Sequence, residues 1–262
     1  MSADKVSILP DLIEPISNAI HDNIPETARQ ADGALSTVVG FFNNVVLYPV
    51  KKANLTFRYK LECFEDDLKE KIKDVPIENL QIPPTMIAGP TLEALRYTYD
   101  EEELREMYEN LLASAMDNRK VSEAHPSFVD AIKQMSPLDA QVLSRIVDYR
   151  QLRCISVKFN IGETGKVYIS GMPDYFVEEL FDLSDPFLVS TSLINLLRLG
   201  LIDIIEGTIN NTDYESLVEH PYVINRKKYF DSIGEKTILN KEKRTIALNN
   251  YGKQFSKVCL NK

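Results

Sequence analysis

Proton transfer near neutral pH is most often the work of histidine, and the 262-residue chain has three, His21, His125 and His220. His125 and His220 each precede proline, which pushes the backbone toward extended geometry and suits the ring to packing or capping a turn. Spacing brings no nucleophile or carboxylate to either ring, so a catalytic histidine is not expected. Glu101, Glu102, Glu103, Glu106 and Glu109 offer carboxylates for acid–base work or a divalent cation. Their spacing reads more simply as the solvated side of an amphipathic helix. Cys63, Cys154 and Cys259 are far apart and form no CxxC pair, which predicts reduced, mostly buried thiols rather than disulfides or a thiolate metal site. No GxxxxGK[ST], GxGxxG or HExxH pattern occurs. The residues therefore predict no catalytic, cofactor or metal site, and a protein that is not an enzyme.

Charge is more informative. Between Arg226 and Lys257, nine cations face three carboxylates, a net of +6 that leaves −15 for the rest of a chain whose total is −9. Arg226, Lys227, Lys228, Lys241, Lys243 and Arg244 are the candidates for a backbone-contacting basic wing, and Ser190, Thr191, Asn195 and Arg198 for a base-reading helix face. Arg198 is the one cation of that helix, so a protein partner, including a second copy of the chain, is as reasonable an expectation as DNA.

A third group is apolar. Residues 33–50, GALSTVVGFFNNVVLYPV, carry no formal charge. A spanning helix needs about 20 mostly apolar residues, and Asn43, Asn44 and Pro49 interrupt this run. Leu35, Val38, Val39, Phe42, Val45 and Val46 fall on one helical stripe, the pattern of a helix packed on a protein core. The functional alternative is a helix at a membrane surface or in a partner groove, with Lys51 and Lys52 reaching lipid phosphates.

The elements that must position these groups are mostly helical. The composition, 44% hydrophobic and 26% charged, is that of an ordinary globular protein, and its acidity argues against non-specific coating of nucleic acid. The N-terminal residues lack a secretory signal pattern, which leads to an expectation of a cytoplasmic protein. Periodicity predicts a broken helix at 8–21, a charged helix at 54–73, and a proline-rich connection after it. Pro90 sits where a first helical turn tolerates it, and Asp100 with Glu103 resembles a capping box before a helix burying Leu104, Met107, Tyr108, Leu111, Leu112 and Ala115. Helices are expected after Pro126, from Ser136, in PDYFVEELFDL, in DPFLVSTSLINLLRLG with Gly200 as its stop, and at the C-terminus. RCISVKFNIGETGKVYIS and KTILNKEKRTIAL read as hairpins around a strand LIDIIEGTI. The fold class is thus mainly α with small β-hairpins: an N-terminal helical region (1–75), a central helical module (76–135) and a winged-helix-like C-terminal module (136–262).

The segments IAGPTLEALRYT, ELREMYENLLASAMD and AHPSFVDAIKQMSPLDA, in that order, resemble the Abi-alpha family, formerly a domain of unknown function, associated with abortive-infection phage resistance in bacteria. Gly89, Pro90, Arg96, Tyr97, Glu103 and His125 are positions on which the resemblance rests. For these the structural expectation is a turn at Gly89 and Pro90 and an Arg96–Glu103 pair across a helix junction. The resemblance implies a non-enzymatic defence protein acting on a phage or cellular partner, and supplies no catalytic motif and no cofactor. A transcriptional regulator using the basic wing and a membrane-active effector using residues 33–50 are the alternatives.

Overall fold

A computed structural model describes residues 55–161, 167–169, 171–233 and 237–262, with Gly33 and Ser36 besides. The stripe Leu35, Val38, Val39, Phe42, Val45 and Val46 lies outside the described residues. The described elements are α1 (Leu55–Ile72), a 3-10 turn (Ile77–Asn79), α2 (Thr85–Thr98), α3 (Glu102–Met116), α4 (Ser127–Lys133) and α5 (Pro137–Tyr149). Then follow β1 (Gln151–Ile161), β2 (Val167–Ile169), a 3-10 turn (Glu178–Leu180), α6 (Pro186–Arg198), β3 (Ile202–Glu206), α7 (Glu215–Val218), α8 (Pro221–Ile233), β4 (Thr237–Leu248) and α9 (Asn250–Phe255), which runs into a π-helical turn, Ser256–Leu260. The protein is mainly helical with one small antiparallel sheet in the order β2-β1-β4-β3.

Local chemistry explains most of the boundaries. Ser136 and Asp139 form a reciprocal capping box at the start of α5, with Pro137 in the first turn. α6 opens on Asp185, whose carboxylate accepts the Phe187 N–H, and closes on Gly200 at φ 70°. The Leu201 N–H to Leu196 carbonyl and Gly200 N–H to Leu197 carbonyl bonds make that closure a Schellman motif.

Four expectations are corrected. Asp100 and Glu103 do not cap α3: Asp100 takes Lys60 at 2.5 Å and Glu103 accepts from Gln141. Gly89 and Pro90 are not a turn but lie inside α2, which begins five residues before Pro90, immediately after Pro84. PDYFVEELFDL keeps only the 3-10 turn, because Phe176 exchanges both backbone hydrogen bonds with Ile155 and is drawn toward the sheet. KTILNKEKRTIAL is not a hairpin: without a Gly or Asn-Gly turn at its centre, it runs straight as β4, paired with β1 from Gln151↔Ala247 to Ile161↔Thr237. The β1–β2 hairpin is present.

α3 is the centre of the larger core, burying Leu104, Met107, Tyr108, Leu111, Leu112, Ala115 and Met116. Phe64 and Leu68 of α1, Leu92 and Leu95 of α2, Phe128 of α4, Leu143 of α5 and Phe255 of α9 belong to the same cluster. A smaller cluster, including Ile155, Val157, Phe159, Phe176, Leu217, Val223 and Phe230, joins one face of the sheet to α7 and α8. No helix among the described residues is long and apolar enough to cross a membrane.

Candidate partner-binding site

Strand alternation decides where the basic residues go. In the β1–β4 register, Lys243 and Lys241 stand opposite Ile155 and Val157, whereas Arg244 and Glu242 stand opposite Cys154 and Ser156. The cations are therefore divided between two faces. Lys241 and Lys243 both reach Glu215 of α7, at 2.5 and 2.8 Å. Hydrogen bonds from these two ammonium groups hold the Glu215 carboxyl down to about 2. On the opposite face Arg244 binds Glu242 at 2.6 Å and approaches Glu206 at 3.6 Å. Lys227 pairs with Asp231 within α8, Arg226 lies over the rings of Phe187 and Tyr222, and Lys228 is exposed. The predicted basic surface is in large part a set of ion pairs.

The polar residues named on α6 are also engaged. Ser190 is buried, and its hydroxyl accepts the Tyr175 N–H. Asn195 donates to the Gln134 carbonyl and to Asp139, while Arg198 donates to Asn195 and to the Gln134 side chain. Thr191 is exposed and donates to the Phe187 carbonyl. Beside Thr191 and Arg198, α6 presents apolar side chains outward: Phe187, Leu188, Ile194 and Leu197 are exposed, with Leu188 at 55%. Beside Ile194 lies a cleft of roughly 320 Å³, lined also by Ser156, Lys158, Pro173, Tyr175, Glu242 and Arg244. Leu188 and Ile194 belong to the segment DPFLVSTSLINLLRLG, in which a helix is expected. Their outward position follows from Val189, Leu193 and Leu196 taking the core side.

The chain matches the abortive infection alpha family over residues 56–259, from the first turn of α1 to the last turn of the C-terminal helix. It belongs to that family. No curated protein matches the chain in sequence. Among solved structures, an uncharacterized protein from the hydrocarbon-degrading marine bacterium Alcanivorax borkumensis is similar, with 11% identity, 55% of this chain and 96% of that one covered, and a TM-score of 0.34.

Within this abortive infection alpha chain, the positions behind the sequence resemblance have structural surroundings. His125 is exposed, its Nδ1 accepts the Ser127 N–H at 3.1 Å, and Ser127 in turn bonds the Tyr251 hydroxyl at 2.8 Å. The ring thus shapes the entry to α4. Arg96 does not meet Glu103 but lies over the ring of Tyr97. Gly89 and Pro90 share α2 with Tyr97, which is 75% exposed.

Three polar centres escaped the sequence reading. Glu109, assigned to a solvated face, is 3% exposed, with Lys71 at 3.8 Å and Arg105 at 3.5 Å. Burial pushes its carboxyl up to about 7, the nearby Asp67 adds to the rise, and Lys71 and Arg105 oppose it. Asn110 accepts from Lys71 and donates to the buried Cys259 carbonyl, fastening α1 and the C-terminal turn to α3. Arg153 on β1 pairs with Glu178 and Glu179 and donates to the Asp213 carbonyl and Ser216. Isolated polar residues inside apolar periods carry no sequence signal for such partners. Burial pushes the Cys154 thiol up to about 12 and the Cys259 thiol upward as well, so both are poor nucleophiles. Among the described residues, no group of three or more His, Cys, Asp or Glu is placed to hold a metal ion.

Proposed function

We propose that this protein is a cytoplasmic, non-enzymatic effector of abortive infection that acts by binding a partner protein of phage or host origin. The observation that carries the reading is the outer face of α6, where Phe187, Leu188, Ile194 and Leu197 are presented to solvent. Exposed apolar side chains such as Phe187 and Ile194, seven residues apart on one side of the helix, suit a protein contact better than a nucleic acid, whose interfaces are polar and basic. We read α5, α6 and the β3–β4 pair as a winged-helix-like module in which α7 and α8 occupy the connection between the wing strands. Membership of the family supports the defence role, and the apolar helix supports the protein partner. DNA binding by the wing is the weaker alternative, since Lys241, Lys243 and Arg244 would have to leave Glu215, Glu206 and Glu242 to meet phosphates.

The test is a plating assay with a panel of phages, in cells carrying wild-type protein or Leu188→Glu with Ile194→Glu. Both changes are on exposed side chains, so the variant should keep its abundance and melting temperature while losing protection. Full protection by the folded double variant would overturn the α6 reading. No protection by wild type against a broad panel would overturn the defence reading itself.

A further inference from the structure

α7 and α8 cover one face of the sheet at Ile155, Val157 and Phe159 of β1 and leave the 151–153 end of that strand open. A cleft of roughly 810 Å³ lies there, walled by the end of α5, by Ile209 and Thr212 of the segment after β3, and by Lys253 of α9. Its walls are held in place: Arg153 donates to Glu179 at 2.6 Å and to Ser216 at 2.8 Å, and the Ile209 N–H donates to the Tyr214 hydroxyl at 3.2 Å. We propose that this cleft binds a nucleoside monophosphate, with the phosphate between Arg150 and Lys253 and the base against the ring of Tyr149.

Charge supplies the first argument. Arg150, Arg153 and Lys253 line the cleft against one carboxylate, Glu179, in a chain whose total charge is −9. Glu179 is held by Arg153, whose other nitrogens reach Glu178, Ser216 and the Asp213 carbonyl. Arg150 and Lys253 are exposed and, among the described residues, neither side chain has an ion-pair or hydrogen-bond partner. Lys241, Lys243 and Arg244, by contrast, are occupied by carboxylates. Asp148, on the last turn of α5, pairs with Lys262 at 2.7 Å, and Asp203, in the register row of Ala247, takes the Asn249 amide at 3.4 Å. Two free cations from separate elements suit a phosphate, whose oxygens and double negative charge they share.

Backbone geometry supplies the second. Arg150 follows the last residue of α5 at φ 66° and ψ −43°, a region that glycine enters freely and other residues enter at a cost. The chain keeps an arginine where glycine is the unstrained choice, and that arginine lines the cleft beside Tyr149. The walls supply the third. Tyr149 is 51% exposed, and with Ile209 and Leu248 it gives the cleft an apolar side, the kind of surface on which a base stacks. Gln151 offers a base edge both a donor and an acceptor. The volume exceeds what an inorganic phosphate fills and falls within the range of about 300–1,000 Å³ usual for small-molecule clefts. No residue of the α6 face lines this cleft, so the inference goes beyond the partner-binding reading and does not depend on it.

The experiment is calorimetric titration of the full chain with AMP, GMP, CMP and UMP, with their nucleosides and with inorganic phosphate. At least one monophosphate should bind saturably at a single site, more tightly than its nucleoside or inorganic phosphate. Arg150→Gln and Lys253→Gln should each weaken it about tenfold, the loss of a charge-assisted hydrogen bond. Tyr149→Ala should weaken the monophosphate and leave inorganic phosphate unchanged. Arg150→Gly separates binding from folding, since it should keep or raise the melting temperature and still lose affinity. No binding of any monophosphate to folded wild type would overturn the inference, as would binding that both cation substitutions leave unchanged, or inorganic phosphate bound as tightly as the nucleotide. A 5′-phosphorylated tetranucleotide bound far more tightly through the same cations would assign the cleft to a strand end and overturn it too. Phage plating of the α6 double variant touches none of these residues, so either reading can fail alone.

Discussion

Glu109 shows how a single side chain can depart from the face its period assigns. Its neighbours on α3 pack into the core, and α1 closes over it with Lys71, while Asp67 adds an unfavourable charge. The folded carboxyl titrates at about 7 against 4.5 when unfolded, so the folded state binds the proton more tightly between those values. This group's stabilising contribution is complete below the unfolded value and is lost as pH rises through the folded one. Glu109→Gln should therefore raise the melting temperature more at pH 8 than at pH 5, and an equal shift at both would show that Lys71 and Arg105 fully compensate the buried charge. At Asn110, truncation to Ala leaves the buried Cys259 carbonyl without its donor and should cost about 1–3 kcal/mol in urea unfolding. Leu111→Ala removes a fully buried side chain and should cost about 2–5 kcal/mol, whereas His125→Ala, at an exposed capping position, should leave stability and protection near wild type. Well-folded His125→Ala protein without protection would reopen the question of catalysis.

Elements impose the next constraint. β4 has lysines and arginine in one run, yet a strand points successive side chains to opposite faces, so the run does not become one basic surface. Replacing Lys241, Lys243 and Arg244 together by Ala should leave retention of duplex DNA as weak as in wild type. A strong, salt-sensitive retention by wild type that this variant abolished would support the regulator alternative. At α9 a close approach sets the limit: a Cβ on Gly252 would stand 1.8 Å from the Leu201 carbonyl oxygen. Gly252→Ala should therefore destabilise by about 1–3 kcal/mol through overpacking, visible as a lower urea midpoint with unchanged slope.

At the scale of the whole molecule, the chain by itself determined the elements with strong local signals. Ser136 with Asp139 and Pro137 starts α5, Gly200 stops α6, and the stripe from Leu104 to Ala115 makes α3 a core helix, because capping, positive φ and apolar period act within a few residues. The order of family segments likewise lies in the sequence alone, and so does the grouping of cations between Arg226 and Lys257. Only the tertiary structure decided what those cations meet. Lys241 and Lys243 find Glu215 of the short helix α7, and Arg153 gathers Glu178 and Glu179 from a 3-10 turn and Ser216 from α7. It also decided that KTILNKEKRTIAL stays straight, since β1 offered a partner along its whole length, and that Ser190 and Asn195 turn inward while Leu188 and Ile194 remain in water. Period reports that a helix has an apolar side. Which apolar residues are covered depends on the width of the neighbours that pack against it, and those neighbours come from distant parts of the chain.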